Sequence, residues 1–355
     1  MILARQPRRL SLIVDCQPPI PNFSLTDDDF TELRASVQQS FLPGDTLRHR
    51  GEQTTALAGA EDARRAEQAR NVLREVRYWW LAVYDQTEAA RLTRENQKLF
   101  SQIAKITQSQ YGAGFGTQQD VLSAQLEVGL LKDREAEFDA KRNEALAELA
   151  KWLGPESAVR PLAEDWPALP ALPERAEIEA QLDNHPAILV EDAMINAGQS
   201  GVDLARDQYK PAWGVDVGYG LRGAGRSDFL SAMVTLDLPI FTDKRQDKRL
   251  AASQQETNAA RYARDDRRRE LHAMLDTQYA VWTGFTERLA LNEKQLLPQA
   301  QQTAEAALNA YQSNVTDFPT MMRARITALE TRLAALRLRV QRAQTQAKLL
   351  YLAGE

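Results

Sequence analysis

Two short stretches with a two-residue rhythm interrupt a chain otherwise written in long helical patterns. From Trp213 to Leu221 the odd positions are Trp213, Val215, Val217, Tyr219 and Leu221, and the even ones are Gly214, Asp216, Gly218 and Gly220. After the turn formers Gly223 to Asp228, Leu230, Ala232, Val234, Leu236 and Leu238 alternate with Ser231, Met233, Thr235 and Asp237. A period of two with one apolar face predicts a β-hairpin. Strands of about ten residues, apolar outward and polar or glycine inward, with Trp213 and Tyr219 near the ends, suit a transmembrane barrel. A hairpin lying on a soluble core would show the same alternation, and this hairpin alone leaves the choice open.

A second copy lies near the N-terminus. Leu33, Ala35, Val37 and Phe41 alternate with Glu32, Arg34, Ser36, Gln38 and Ser40, and before them Leu10, Leu12 and Val14 alternate with Ser11, Ile13 and Asp15. The connecting QPPIPNFSLTDDD, rich in Pro and Asp, predicts a solvated loop. Each hairpin ends in Leu-Pro (Leu42-Pro43 and Leu238-Pro239), followed by the helix-start pairs Asp45-Thr46 and Thr242-Asp243. Proline at such a seam suits strand ends and helix starts but neither interior.

The helical parts repeat too. A shift of 200 positions superposes Tyr111 to Gly154 on Tyr311 to Gly354 without a gap, pairing Ala124 with Ala324, Leu126 with Ile326, Arg142 with Arg342, Leu149 with Leu349 and Gly154 with Gly354. Constant spacing over so long a segment indicates an internal duplication, so the chain is two similar halves, each a hairpin followed by helices.

Segments 46–110 and 244–312 are rich in Ala, Leu, Gln, Glu and Arg and poor in Gly and Pro. They predict uninterrupted helices, each about 100 Å long, which would make a rod of a 355-residue chain that could otherwise form two globular domains. In the second, Leu271, Leu275, Tyr279, Trp282, Phe285, Leu289, Leu296, Ala300, Ala304, Ala307 and Tyr311 recur at steps of three, four or seven, close to 3.6 residues per turn. That period fits a gently wound wall of helices rather than a tight coiled coil, and these residues are assigned to packing.

Other chemistry finds little support. His49, His185 and His272 are scattered, and His185 stands in a helix-start context, so metal ligation is not expected. Cys16 is the single cysteine, which rules out a disulfide within one chain. The glycines of GAGFGT lack the lysine of a phosphate loop and read as a turn between helices. No run approaches 18 apolar residues, which excludes a helical membrane span. A net charge of −5 with interspersed signs speaks against nucleic acid, and the basic run RYARDDRRR (261–269) is expected to face water or a neighbouring subunit, neutralised by Asp265 and Asp266. An enzyme would need clustered acid, base or metal-binding groups, and none is visible.

The segment QYGAGFGTQQDVLSAQLEV, the matching AYQSNVTDFPTMMRARITALE, the WLG and LAG endings, Asn184-His185-Pro186 before a helix, and the hairpin seams resemble the outer-membrane efflux protein family, the TolC-like exit ducts, over nearly the whole chain from about Pro18. RQDKRLAASQQ and LLPQAQQTAEAALNAY resemble its heavy-metal efflux branch. The resemblance implies a mainly α fold with two β-hairpins: an α-barrel subunit of long helices plus four strands contributed to a trimeric transmembrane β-barrel. Trp213, Val215, Val217, Tyr219, Leu230, Val234 and Leu236 would face lipid. The expected organisation is a first hairpin (1–43), first-half helices and tip (44–154), a Pro-rich equatorial crossover (155–177), a helix leading to the second hairpin (178–210), that hairpin (211–241), and second-half helices and tip (242–355).

The resemblance further implies a homotrimer working with a periplasmic adaptor and an inner-membrane pump, with no cofactor and no catalysed step. Assembly is required independently, because four strands leave open edges and bacterial barrels need about eight or more. A gate is implied at the helical tips, where Tyr111, Gly114, Gly116, Asp120, Tyr311, Asn314 and Asp317 occupy the matching positions. Packing across a turn would equally explain the two tyrosines, and a helix-start role the two aspartates. Thr320 and Arg323 stand where some relatives carry acids, which puts a strong acidic ring from the second repeat in doubt. No charged-then-apolar leader precedes the first strand, and the helix leading into the second hairpin has no counterpart in the first half. The start is therefore expected to be truncated, with the first hairpin misplaced or disordered, while the mature protein would sit in the outer membrane. The competing reading is a periplasmic coiled-coil adaptor or structural protein that buries its hairpins against further strands.

Overall fold

The computed structural model describes residues 10–17, 32–158, 160, 166, 169–222, 225–313 and 315–354. In chain order these give β1 (Leu10–Gln17), β2 (Glu32–Phe41), α1 (Thr46–Gly112), α2 (Gln118–Leu153), α3 (Pro155–Ala158), α4 (Arg175–Gln181), α5 (Pro186–Asp207), β3 (Ala212–Arg222), β4 (Phe229–Asp237), α6 (Gln246–Leu291), α7 (Leu297–Gln312) and α8 (Phe318–Ala353). They divide into two compact units, Met1–Arg65 with Pro186–Arg267, and Ala66–His185 with Arg268–Glu355.

The first unit carries one antiparallel sheet in the order β1-β2-β3-β4. The described strands of the first hairpin are paired rather than misplaced: Leu12 stands opposite Val37. Its second strand pairs along its whole length with β3, from Glu32 opposite Arg222 to Phe41 opposite Trp213. The physical reason is that β2 finds its ladder partner in the other repeat. Below the sheet α5 packs on α6, where a Cβ on Gly198 would stand 2.9 Å from the Thr257 hydroxyl. The start of α1 reaches α5 through Gln53, whose side chain donates to the Ala197 carbonyl.

The end of α5 is tied to the start of α1 by a buried carboxylate. Asp207 accepts from His49 Nδ1 and from Lys210 Nζ, each at 2.8 Å, with its side chain 2% exposed. Burial, the largest single influence on this carboxyl, acts to raise its pKa. Hydrogen bonds from Lys210, His49 and the Asp45 backbone outweigh it and hold the group below the ordinary carboxylate range. Gly44 makes the adjoining bend at φ +56°, and a Cβ there would meet Asp207 Oδ1 at 2.4 Å.

The second unit is a bundle of helix pairs. Near the turns, Phe100 and Ile103 of α1, Ala124 and Leu131 of α2, and Phe318, Met321, Met322 and Leu329 of α8 form one apolar cluster, with Leu308 and Tyr311 of α7 packed against it. Full burial of residues the size of Phe100 and Met321 contributes about 1.5–3 kcal/mol each. Further along, Leu81, Val340 and Ala343 pack with Trp166 and Leu169 of the Pro-rich connection. Trp166 also meets Tyr84 edge-on at 5.2 Å and takes the Arg339 guanidinium over its face at 4.6 Å.

Segment 46–112 is a single 67-residue helix, but the expected continuity of 244–312 is broken. Between α6 and α7, Asn292–Leu296 forms a π turn in which the Leu297 N–H donates to the Asn292 carbonyl. The cause is Pro298 in the first turn of α7. Its ring supplies no N–H for the carbonyl four residues back and crowds it, and the wider turn relieves both. The basic run 261–269 is mostly exposed and Arg264 lies 4.0 Å from Asp265, as expected, but Arg264 also bonds Asp192 of α5 at 2.7 Å and Arg268 reaches Asp183 at 2.8 Å.

Candidate functional site

The ladder register sorts the sheet into two chemically distinct faces. Trp213 pairs with Leu236, Val215 with Val234, Val217 with Ala232 and Tyr219 with Leu230. On the other side of β3, Val37, Ala35 and Leu33 stand opposite Val217, Tyr219 and Leu221, and Leu12 and Val14 extend the same face across β1. Among the described residues nothing covers it. Leu230 is 74% exposed and Val234 73%, with Trp213, Val217, Tyr219 and Leu236 also exposed and Val215 partly so. The polar face is the better covered one, because Asp216, Gly218 and Gly220 are buried. This inverts the pattern of a sheet folded onto an aqueous protein's core.

Aromatic groups mark the ends of the apolar face. Phe41 and Trp213 stack with centroids 3.8 Å apart at the end nearest the helices. Tyr219 lies about 20 Å further along the strand, its hydroxyl donating to Asp228 at 2.6 Å. A band of this height with aromatic borders matches the apolar girdle of a membrane barrel.

On the polar face Arg34 donates to Asp216 at 3.0 Å, and Arg222 faces Glu32 at 3.6 Å. Two glycines let large groups lie flat here. A Cβ on Gly218 would stand 2.8 Å from the Arg34 guanidinium, and one on Gly220 would enter the Phe229 ring at 2.2 Å. The Arg222 guanidinium lies over that ring at 4.4 Å, giving the face a run of cationic, anionic and aromatic groups.

The helical turns place most of the remaining sequence-derived positions. Gly114, at φ +84°, and Gly116 lie in the turn between α1 and α2, with Phe115 fully turned out. Asn314 lies outside the described residues, and its neighbour Val315 is as exposed as Phe115. Tyr111 is exposed, whereas Tyr311 is partly buried, donates to Gln110 Oε1 at 2.9 Å and meets Phe318 edge-on at 5.9 Å. Burial raises the pKa of the Tyr311 hydroxyl.

Asp120 and Asp317 both take part in helix starts, in opposite roles. In the first half Thr117 caps α2, accepting from the Asp120 N–H at 3.2 Å while Asp120 accepts from the Thr117 N–H at 3.2 Å. In the second half Asp317 itself caps α8, accepting from the Thr320 N–H at 3.1 Å. Hydrogen bonding by Thr320 holds the Asp317 carboxyl below its ordinary range.

Sequence reasoning missed the Arg34–Asp216 pair and the Asp207 latch. The available signals were an arginine and an aspartate on the polar side of apolar strands, and a histidine just inside a helix start. No cluster of three or more His, Cys, Asp or Glu suited to a metal occurs among the described residues. No described helix is long and apolar enough to cross a membrane.

Comparison with known proteins agrees with this arrangement. The family described as outer membrane efflux protein matches residues 178–355. Protein CyaE of Bordetella pertussis is 26% identical over 204 residues, which cover 54% of this chain and 43% of CyaE, so the match spans less than half the length of that relative. A membrane protein from Pseudomonas aeruginosa aligns with 98% of this chain and 82% of its own at a TM-score of 0.84 and 15% identity. The outer membrane protein VceC of Vibrio cholerae aligns over 98% and 86%, with a TM-score of 0.82 and 15% identity. The chain thus shares its fold with these two solved membrane proteins. The chain belongs to the outer membrane efflux protein family.

Proposed function

We propose that this protein is the passive outer-membrane duct of a tripartite efflux or secretion system. The observation that carries this reading is the exposed apolar face running through all four strands, backed by an opposite face of Gly, Asp, Ser and Arg that is covered at Ser36, Asp216, Gly218 and Gly220. A sheet of that polarity needs lipid on one side and water on the other. Among the described residues its outer edges at β1 and β4 are unpaired, and three copies give twelve strands, enough to close a barrel. The competing adaptor reading requires the apolar faces to be covered by further strands, and none among the described residues covers them.

In this reading the helices form the periplasmic wall, and Tyr111, Asp120, Tyr311 and Asp317 lie at its far constriction with the glycine turn of Gly114 and Gly116. An adaptor and an inner-membrane pump supply direction and energy, and the duct catalyses no covalent step. Cargo is selected by pore width and by lining charge such as Arg34, Asp216, Glu32 and Arg222. The resemblance of RQDKRLAASQQ and LLPQAQQTAEAALNAY to the heavy-metal efflux branch favours metal ions among small solutes as that cargo.

The test is single-channel recording. The full-length protein, purified in detergent and added to a planar bilayer, is expected to give large, uniform conductance steps from a cross-linkable trimer. A species that never inserts, or conducts only as irregular leak, overturns the reading. Growth assays with metals, dyes and antibiotics then define the cargo.

A further inference from the structure

The chain leaves β4 through Leu238-Pro239-Ile240-Phe241, and three of these side chains are turned out. Leu238 and Ile240 are exposed and Phe241 is 86% exposed. The Ile240 N–H donates to the Leu238 carbonyl at 2.9 Å, a tight reversal around Pro239 that ends the strand alternation. Phe241 then adopts φ 60°, ψ 58°, and among the described residues it is the sole non-glycine with positive φ. The equivalent bend after β2 is made by Gly44 at φ +56°. Glycine enters this conformation without strain and phenylalanine does not, so the aromatic ring at the second bend serves something other than the bend itself.

The surroundings identify what. Leu236 stands opposite Trp213, whose ring stacks on Phe41, so Leu238 to Phe241 begin where the aromatic border of the apolar sheet face stops. Immediately after them Lys244, Arg245, Lys248 and Arg249 are all exposed. Of the two acids in the same run, Asp243 and Asp247, the second accepts from the Tyr209 hydroxyl at 2.6 Å. Apolar side chains followed by a cationic run, adjoining a lipid-compatible face, form the sequence of groups met on crossing from acyl chains to phosphates.

We propose that Leu238, Ile240 and Phe241 insert into the acyl–headgroup boundary of the leaflet nearest the helices, with Lys244, Arg245, Lys248 and Arg249 against lipid phosphates. This anchor rests on the apolar sheet face being lipid-facing. It fixes the height of the barrel in the bilayer at the point where strands become helices.

The test uses the full-length protein with Cys16→Ser, labelled with a small fluorophore at Phe241→Cys or, as a control on the sheet, at Val234→Cys, and reconstituted in phosphatidylethanolamine–phosphatidylglycerol vesicles. The 241 label is expected to be quenched by lipids carrying a nitroxide near the acyl carbonyl and little by one near the chain end, whereas the 234 label is quenched by both. A 241 label reached by iodide but not by lipid nitroxide, or shielded from both by a neighbouring copy, overturns the anchor while the 234 signal leaves the barrel standing. A 234 label that no lipid reaches overturns the barrel and the anchor together. In a second measurement Phe241→Gly is expected to keep or raise the melting temperature in detergent, since it relaxes the backbone. The ratio of inserted to uninserted protein should fall roughly tenfold, the partition of one phenyl group. A lowered melting temperature in detergent would identify Phe241 as a packing residue and overturn the proposal.

Discussion

Arg34 and Asp216, 182 positions apart in the chain, meet at 3.0 Å across the β2–β3 ladder. The pair joins the two repeats at the single ladder where one hairpin meets the other. Asp216 is 10% exposed at its side chain and Arg34 35%, so the carboxylate is the more dependent partner. Arg34→Ala is expected to destabilise the fold by about 1–3 kcal/mol, the effect of leaving a covered carboxylate without its donor. Denaturant unfolding checks the magnitude. In the proposed channel the same variant shifts the reversal potential toward cation preference, read in a salt gradient.

The Asp207 latch makes a pH-dependent prediction with a defined sign. Its folded pKa lies below the unfolded one, so its contribution is fully present above about pH 4 and is lost as pH falls through the folded value. Asp207→Ala is therefore expected to lower stability by about 1–3 kcal/mol at neutral pH. The difference from wild type should stay constant down to about pH 4 and shrink below it. Melting curves of the two proteins between neutral and acid pH measure this directly.

The helix caps at the two turns are interchangeable in principle. Thr117→Ala is expected to weaken the start of α2 by about 1 kcal/mol, and the exchange Thr117→Asp with Asp120→Thr to restore it, because the second half already builds its cap in that order. Amide hydrogen exchange at residues 118–122 reports the loss and the recovery.

The two faces of the sheet should respond differently to the same charge. Val217→Lys, in the middle of the apolar face, is expected to cost about 2–4 kcal/mol per copy in a bilayer and to deplete the protein from outer-membrane fractions. Ser40→Lys, on the polar face opposite Gly214, should leave the yield unchanged. Equal loss from both variants would speak against lipid on the Val217 side.

Strand positions were legible because a period of two needs no tertiary information, and each alternation specified which side chains share a face. The duplication was legible for the same reason, as constant spacing. The β2–β3 ladder was not, since nothing local to Glu32–Phe41 names a partner beyond residue 200. The π turn had its cause in plain view at Pro298, but a proline near a helix's middle can kink it, end it or widen one turn, and local sequence does not choose among them. The solvated basic run was legible, but the bonds of Arg264 and Arg268 to Asp192 and Asp183 were not, because those partners are distant in sequence. At the tips, Asp120 and Asp317 matched the pattern of a charged constriction, and the structure shows in addition which backbone donors they hold.

The exchange of roles between Thr117–Asp120 and Asp317–Thr320 has an evolutionary consequence. A duplicated turn can relocate its carboxylate by almost one helical revolution while the same backbone amide stays satisfied. Electrical character at that spot is thereby uncoupled from foldability, and descendants of one ancestral repeat can retune it by exchanging two side chains.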